Sequence, residues 1–321
     1  MIDYTKNMAN VKVSIIIPTY NAEKYISRCL NSLLNQSFSL PYEVIVSLNG
    51  CTDKTLDIVN EYSRKYNNII IINNPNKLGA AKSRMAGIEL AKGDYLMFVD
   101  ADDYVHADYI KRLYGEALIG YDIVSASTAE IRGEKIVKSA FRKDAKLNRY
   151  KAVRAQLLDS YLRSFTYCKI FKASLFKEKI YYPKELGVIG EDTVMLFQLL
   201  NRAKEVKLIR DCLYFYDKNV ETSITNSVNL IRFDQHINCF AFIRYLIDES
   251  RDDKLLSIYR KTFWRTEASL WFDAHLLKKE FNHSALKHLK LHKKELNLLK
   301  NKKPLPIAGE VWEQYINDCL S

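Results

Sequence analysis

Three carboxylates crowd into Asp100-Ala101-Asp102-Asp103, directly behind the apolar run Tyr95–Val99. Carboxylates this close repel one another, so folding them together is costly unless something cationic sits between them. A hard divalent ion with oxygen ligands meets that need, and Mg²⁺ or Mn²⁺ still leaves positions for substrate phosphates. The same residues also suit a solvated turn that caps a helix starting near His106. A second acidic pair, Glu191-Asp192, follows Gly190. One carboxylate within hydrogen-bond reach of a hydroxyl can take its proton as that hydroxyl attacks. Ahead of Val194-Met195-Leu196-Phe197, the pair is equally at home as the acidic start of a helix. Arg84 is a cation that could stabilise charge on a departing phosphate, or lie on a solvated helix face. Tyr20 offers a ring for stacking, or packs at a strand end.

The elements that must hold these residues alternate in the first half of the chain. Val11–Pro18 is a β-branched run closed by proline, and Ala22–Leu34 carries apolar residues at helical spacing. Glu43–Leu48 reads as a second strand, Thr52–Tyr66 as a second helix and Ile69–Ile72 as a third strand. A turn over Asn73–Gly79 leads to a helix from Ala80 to Ala91, then to the strand Tyr95–Val99. This order predicts an α/β fold, with a mainly parallel sheet covered on both faces. Ligands of such sheets bind beyond the carboxyl ends of the strands. Three strand ends here carry polar residues: Thr19-Tyr20-Asn21, Asn49-Gly50 and the aspartate cluster. A strand over Asp122–Ala126 and a hairpin around Gly133 follow. From Asn229 the pattern turns helical, with Trp264, Leu270, Trp271 and Phe272 as packing residues. The expected division is 1–225 for the site-bearing domain and 226–321 for a helical, basic extension.

Composition narrows the partners. The 321 residues carry a net charge of +11, which favours an anionic partner: nucleic acid, an acidic lipid surface or a phosphorylated substrate. The six cysteines form no C-x-x-C pair, so a zinc site lacks support and free thiols in a reducing cytoplasm are expected. Neither a signal peptide nor an apolar run of bilayer length is visible. The expected location is the cytoplasm, with access to the inner face of the cell membrane.

Several motifs in order resemble glycosyltransferase family 2. Ser14-Ile15-Ile16-Ile17-Pro18-Thr19-Tyr20-Asn21 resembles its opening strand, and Asn49-Gly50-Cys51-Thr52-Asp53-Lys54-Thr55 its second-strand turn. Gly79, Ala81, Arg84, Gly87 and Ile88, then Ala91-Lys92-Gly93-Asp94-Tyr95, follow the family's next pattern. Phe98-Val99-Asp100-Ala101-Asp102-Asp103-Tyr104 is similar to its metal motif, and Gly190-Glu191-Asp192 to its downstream acidic pair. The resemblance implies a GT-A fold and inverting, non-processive transfer of one sugar from a nucleotide diphosphate, a UDP-sugar, to a hydroxyl. The acceptor would be a glycan or lipid-diphosphate-linked chain in surface polysaccharide synthesis. It further implies donor contacts from Pro18, Thr19, Tyr20, Asn49, Arg84, Asp100 and Ala101. Asp102 would ligate Mn²⁺ or Mg²⁺, Asp192 would be the base, and Glu191 would meet the acceptor.

Asn49 stands where the family carries aspartate, and Met85 where it carries asparagine. An amide there reads a base through a neutral pairing. A catalytically impaired nucleotide-sugar-binding relative is one alternative. A nucleotidyltransferase is another, but it calls for a Gly-rich first loop where Pro18-Thr19-Tyr20 stands. A nicotinamide enzyme needs G-x-G-x-x-G after the first strand, and that is absent. Only the net charge suggests nucleic acid, and none is expected as partner. The stretch 278–303, with nine lysines, carries apolar residues near helical spacing, which suits a helix facing anionic lipid or an ordinary packed helix with a solvated basic side. The oligomeric state is not written in the sequence.

Overall fold

The computed structural model describes residues 10–139, 141, 143–158, 162, 164–182, 190–220 and 230–262. The lysine-rich stretch 278–303 and the tryptophans Trp264 and Trp271 lie outside these residues. The described residues fall in two compact units. The first is drawn from Met1–Arg149, Phe165–Ile180 and Leu199–Asn226, the second from Tyr150–Ser164, Tyr181–Gln198 and Ser227–Ser321.

The first unit is built on a sheet whose opening strands are β1 (Val13–Thr19), β2 (Tyr42–Asn49), β3 (Ile69–Asn74) and β4 (Tyr95–Phe98). These four run parallel, as the alternating pattern predicts, and lie in the order β3-β2-β1-β4. Beyond β4 the sheet becomes mixed. The strand β9 (Lys169–Lys172) pairs antiparallel with β4 and with β6 (Ile123–Arg132). The long β10 (Glu205–Asp217) then pairs parallel with β6 and antiparallel with the short β5 (Tyr104–Val105). A hairpin at Gly133 joins β6 to β7 (Lys135–Ser139), and β8 (Ala145–Asn148) pairs with β10. Glycine at that turn takes a φ of 58°, a left-handed value that other residues resist.

β1 is buried on both faces, as a central parallel strand must be. Val13, Ile15 and Ile17 enter the main core together with Ile26, Cys29, Leu30 and Leu33 of helix α1 (Ile26–Leu34). Ile16 and Ser14 point the other way, towards helix α3 (Ala80–Leu90) and the turn before β4. Helix α2 (Thr55–Lys65) follows β2, and α4 (Tyr109–Leu118) follows β5. α1 begins four residues later than its apolar spacing suggests. The carbonyl of Ala22 instead closes a turn by accepting from Tyr25 and Ile26 N–H. Under the sheet lies a buried carboxylate with no obvious signal in sequence. Glu43 accepts from Ser14 Oγ at 2.6 Å and from Lys92 N at 2.7 Å, which fixes the turn into β4.

The strand ends are staggered. β1 pairs with β4 only as far as Ile16↔Phe98, but with β2 through Thr19↔Leu48. Pro18 therefore sits where no β4 partner needs its missing N–H. The stagger opens a crevice between the two chains leaving β1 and β4, the place expected for a ligand in an open parallel sheet.

In the second unit, Gln156 Nε2 of α5 (Arg149–Leu157) donates to the Thr193 carbonyl of α6 (Glu191–Arg202) at 2.8 Å. α7 (Leu230–Ser250) and a helix over 253–262 follow, with Ile243, Ile247, Leu255 and Tyr259 buried. No helix among the described residues is long and apolar enough to cross a membrane.

Gly87 lets α3 lie directly on β1, because a Cβ there would collide with Ile16 Cγ2. Gly87→Ala should cost ~1–3 kcal/mol through overpacking, read as a lowered unfolding midpoint in urea.

Candidate functional site

The loops that leave β1 and β2 are stitched together. Asn21, at a φ of 43°, accepts from Thr52 N at 2.9 Å through Oδ1 and donates to Thr52 Oγ1 at 3.2 Å. Ala22 N donates to Thr55 Oγ1 at 2.8 Å, and Glu23 N to Asp53 Oδ2 at 3.1 Å. Asp53 also accepts from Thr55 N at 3.0 Å, which fixes the turn into α2. Burial alone would raise its carboxyl, but the hydrogen bonds from Thr55 and Glu23 hold it below the ordinary value. Of these residues, Asn21, Thr52, Asp53 and Thr55 lie in the motif stretches, yet their partners across the crevice floor have no local signal.

Thr19 is buried and donates its hydroxyl to Ile17 O at 3.0 Å, while its own carbonyl faces the Cys51 thiol at 3.5 Å. Tyr20 is exposed, and Lys77 Nζ lies 3.8 Å from the centre of its ring. Asn49 closes the floor between them. Its Oδ1 accepts from Leu78 N at 2.6 Å and Gly79 N at 3.2 Å. Two N–H donors can be met only by the carbonyl end of the amide, so its orientation is fixed. The backbone at Lys77 and Asn76 then crosses Gly50 so closely that a Cβ there would lie 2.8 Å from Lys77 N. With a φ of 69°, Gly50 is required twice over.

The aspartate cluster does not converge on one point. Asp100 pairs with Arg84, whose Nη2 reaches Oδ1 at 3.2 Å. Arg84 is buried on α3, beside Ser83, whose hydroxyl donates to Ser47 O at 2.8 Å. Ala101 turns its methyl into the main core. Asp103 is fully buried and faces β10: its Oδ2 accepts from Tyr214 Oη at 2.6 Å and its Oδ1 from Asp217 N at 2.9 Å. The Tyr214 oxygen in turn accepts from Asp100 N at 3.1 Å. Burial, reinforced by the charges of Asp102 and Asp100, pushes the Asp103 carboxyl well above its usual range. Cys29 underneath, buried and near the same carboxylates, has its thiol pushed up likewise.

Asp102 is left. No side chain of another described residue donates to its carboxylate, and burial raises that carboxyl above the ordinary value. Arg28 reaches the backbone of the same residue, its Nη2 lying 2.6 Å from Asp102 O. Among the described residues, no three His, Cys, Asp or Glu side chains gather into a metal-binding group. A single hard carboxylate still suits a small divalent cation that takes its other oxygens from phosphates and water. The three side chains thus have different surroundings: Asp100 meets an arginine, Asp103 is bonded in the core, and Asp102 is half-buried.

Glu191 and Asp192 open α6 in the second unit, next to Gly190 with a φ of 92°. Gly190 O accepts from Val194 N at 3.1 Å, so the pair sits in the first turn, where acidic side chains favour the helix dipole. Cys239 of α7 has its thiol pushed up to about 12, first by burial and then by the charge of Glu191. Lys218 lies with Nζ 4.6 Å from the Tyr216 ring centre.

Tyr214→Phe should strip Asp103 Oδ2 and Asp100 N of their shared partner. The expected loss is ~1–3 kcal/mol of folding stability, measured by denaturant titration.

Comparison with known proteins gives the family and the fold. Over 212 residues the chain is 36% identical to a poly(ribitol-phosphate) beta-glucosyltransferase of Bacillus spizizenii, covering 64% of this chain and 32% of that one. It is 32% identical over 212 residues to the poly(ribitol-phosphate) beta-N-acetylglucosaminyltransferase TarS of Staphylococcus aureus, covering 64% of this chain and 35% of that one. The chain thus spans about a third of the length of these two relatives. The crystal structure of S. aureus TarS 1-349 in complex with UDP-GlcNAc superposes with a TM-score of 0.71 at 24% identity, over 97% of this chain and 89% of that one. That likeness shows the fold, which is the GT-A architecture with its mixed sheet. The family model for glycosyl transferase family 2 matches residues 14–180, half of the sequence, and the chain belongs to that family.

Proposed function

We propose that the chain transfers a single sugar, with inversion, from a UDP-sugar to a hydroxyl of a glycan or lipid-linked acceptor in surface polysaccharide synthesis. The observation that carries this reading is the aspartate loop after β4, where Asp100 is paired with Arg84 and Asp103 is bonded to β10, while half-buried Asp102 has no donor from another described side chain. The UDP-GlcNAc named with the TarS structure supports the donor class. The poly(ribitol-phosphate) acceptors in the names of the two relatives support a surface-polymer acceptor.

Each residue then has a task. Tyr20 offers its ring to the base, and Pro18 and Thr19 line the pocket beside it. Asn49 has spent its carbonyl on Leu78 and Gly79 N–H, so only its amide N–H groups remain for a base. They call for a carbonyl acceptor, which uracil supplies. Asp100, steadied by Arg84, faces the ribose side, with the Ala101 backbone beside it. Arg84 adds positive charge close to the phosphates. Asp102 would hold Mn²⁺ or Mg²⁺, which supplies Lewis-acid stabilisation of the charge on the leaving diphosphate when bound. Asp192 takes the proton of the attacking hydroxyl, and Glu191 beside it orients the acceptor. One base is enough for inversion in a single displacement, since no covalent intermediate has to be resolved.

Turnover of UDP-sugars with a ribitol-phosphate polymer or a lipid-linked glycan tests the reading. Asp102→Ala and Asp192→Asn should each lower kcat by about 10²–10⁴-fold with folding intact. EDTA should silence the wild type until Mn²⁺ or Mg²⁺ is restored. Activity of Asp192→Asn close to wild type would remove its role as base. Asn49→Asp gives a test by sign: it keeps an oxygen for the loop but replaces the amide donor by an acceptor. UDP binding should weaken about tenfold in calorimetry, and tighter binding would mean that the residue reads the imide N–H instead.

A further inference from the structure

Arg28 has no place in the motifs, and on an amphipathic helix its exposed flank reads as an ordinary solvated cation. Its contacts are not ordinary. From α1 the same Nη2 lies 2.6 Å from Asp102 O and 2.7 Å from Asp217 Oδ2. The guanidinium carbon stands 4.8 Å from the centre of the Tyr104 ring, which itself stacks on Phe215 at 4.8 Å and 11°. Arg28 therefore touches the loop after β4, the first residue of β5 and the last residue of β10.

Its anionic partner is fixed independently. The Asp217 side chain is 6% exposed; Oδ1 accepts from Asn219 N at 2.9 Å, which leaves Oδ2 to Arg28. The backbone N–H of Asp217 donates to Asp103 Oδ1. The peptide joining Asp102 to Asp103 is thus held on both sides, by Arg28 at its carbonyl and by the bonds of the Asp103 carboxylate to β10. Holding that plane limits where the two consecutive carboxylates can lie, that of Asp103 bonded in the core and that of Asp102 half-buried beside it.

We propose that Arg28 is a positioning residue for the transfer reaction: through its bond to the Asp102 carbonyl, backed by Asp217, it sets the aim of the Asp102 carboxylate. This rests on the reading of Asp102 as the residue that holds the divalent cation with the diphosphate. Arginine suits the task because its planar fork meets a carbonyl and a carboxylate together while its face lies on a ring. Lysine can keep the charge near Asp217 but has no planar group to lie on the Tyr104 ring while it meets both oxygens. Asp217→Asn cuts the same link from the other end with nearly unchanged shape.

The test titrates free Mn²⁺ by electron paramagnetic resonance in the presence of UDP, for the wild-type chain, Arg28→Ala, Arg28→Lys, Asp217→Asn and Asp102→Ala. Steady-state kcat and KM and the melting temperature are measured alongside. The expected result is that Arg28→Ala and Asp217→Asn bind Mn²⁺ with UDP at least about tenfold more weakly. Their kcat should fall and the acceptor KM stay unchanged, while Arg28→Lys recovers part of both losses. A lowered melting temperature with Mn²⁺ affinity and kcat intact would overturn the proposal, because Arg28 would then only brace the fold. So would Arg28→Ala and Asp217→Asn indistinguishable from wild type, provided Asp102→Ala has lost the cation. If Asp102→Ala itself keeps full Mn²⁺ affinity, the reading of Asp102 fails first and takes the Arg28 proposal with it. Should Arg28→Ala not fold, Asp217→Asn and Arg28→Lys decide the matter in the same assay.

Discussion

A buried carboxylate organises this crevice. Asp103 lies at the bottom of the loop after β4 with no contact with water, and such a group is tolerated only when its oxygens are met by donors. Tyr214 and the Asp217 backbone, both on β10, supply them, and the Tyr214 oxygen passes the bond on to Asp100 N. A small, fully satisfied polar network of this kind specifies one arrangement, because any other leaves a buried group unpaired. The direction of Asp102 follows from it, and so does the position of Asp100 opposite Arg84. The loop that carries the chemistry is therefore set by a strand more than a hundred residues further along the chain.

The surroundings make that setting rigid. β1 is packed on both faces, against α1 on one side and against α3 on the other, where only a glycine lets the helix approach. The loops after β1 and β2 are joined by side-chain bonds from Asn21, Glu23, Asp53 and Thr55, and the segment before α3 is tied down by Asn49. A site carried on strand ends and braced in this way keeps its residues in place before any ligand arrives, which is what electrostatic stabilisation of a leaving group requires. Arg28 belongs to the same bracing. It is the link between α1, the aspartate loop and β10.

Much of the first half was legible because its signals are local. β-branched runs closed by Pro18 or Asn49, and helices with apolar spacing, mark β1 to β4 and α1 to α3 to within a few residues. That these four strands run parallel follows from the alternation, whereas their order β3-β2-β1-β4 comes from the tertiary structure. The second half was less legible. β9 is four residues long and wedges between β4 and β6, and β5 has two residues. Strands that short are stabilised by their neighbours and leave no period to read. The turn at Ala22 was missed because the apolar spacing continues through it while the hydrogen bonds do not.

The sequence by itself determined the family, the alternation of strands and helices, and which residues stand at the strand ends: Thr19, Tyr20, Asn49, Asp100 and Asp102, with Glu191 and Asp192 at the start of a later helix. The family rests on motifs that resemble those of known members and the elements on short-range periodicity, and both survive without coordinates. Only the tertiary structure decided what those residues have left to offer. It showed Asp103 turned to the core, Asp100 paired with Arg84, the Asn49 carbonyl already occupied, and Arg28 gripping the Asp102 backbone. The reason is physical: a polar group's free valence depends on every partner brought within about 3 Å, and those partners come from distant parts of the chain that no local pattern encodes.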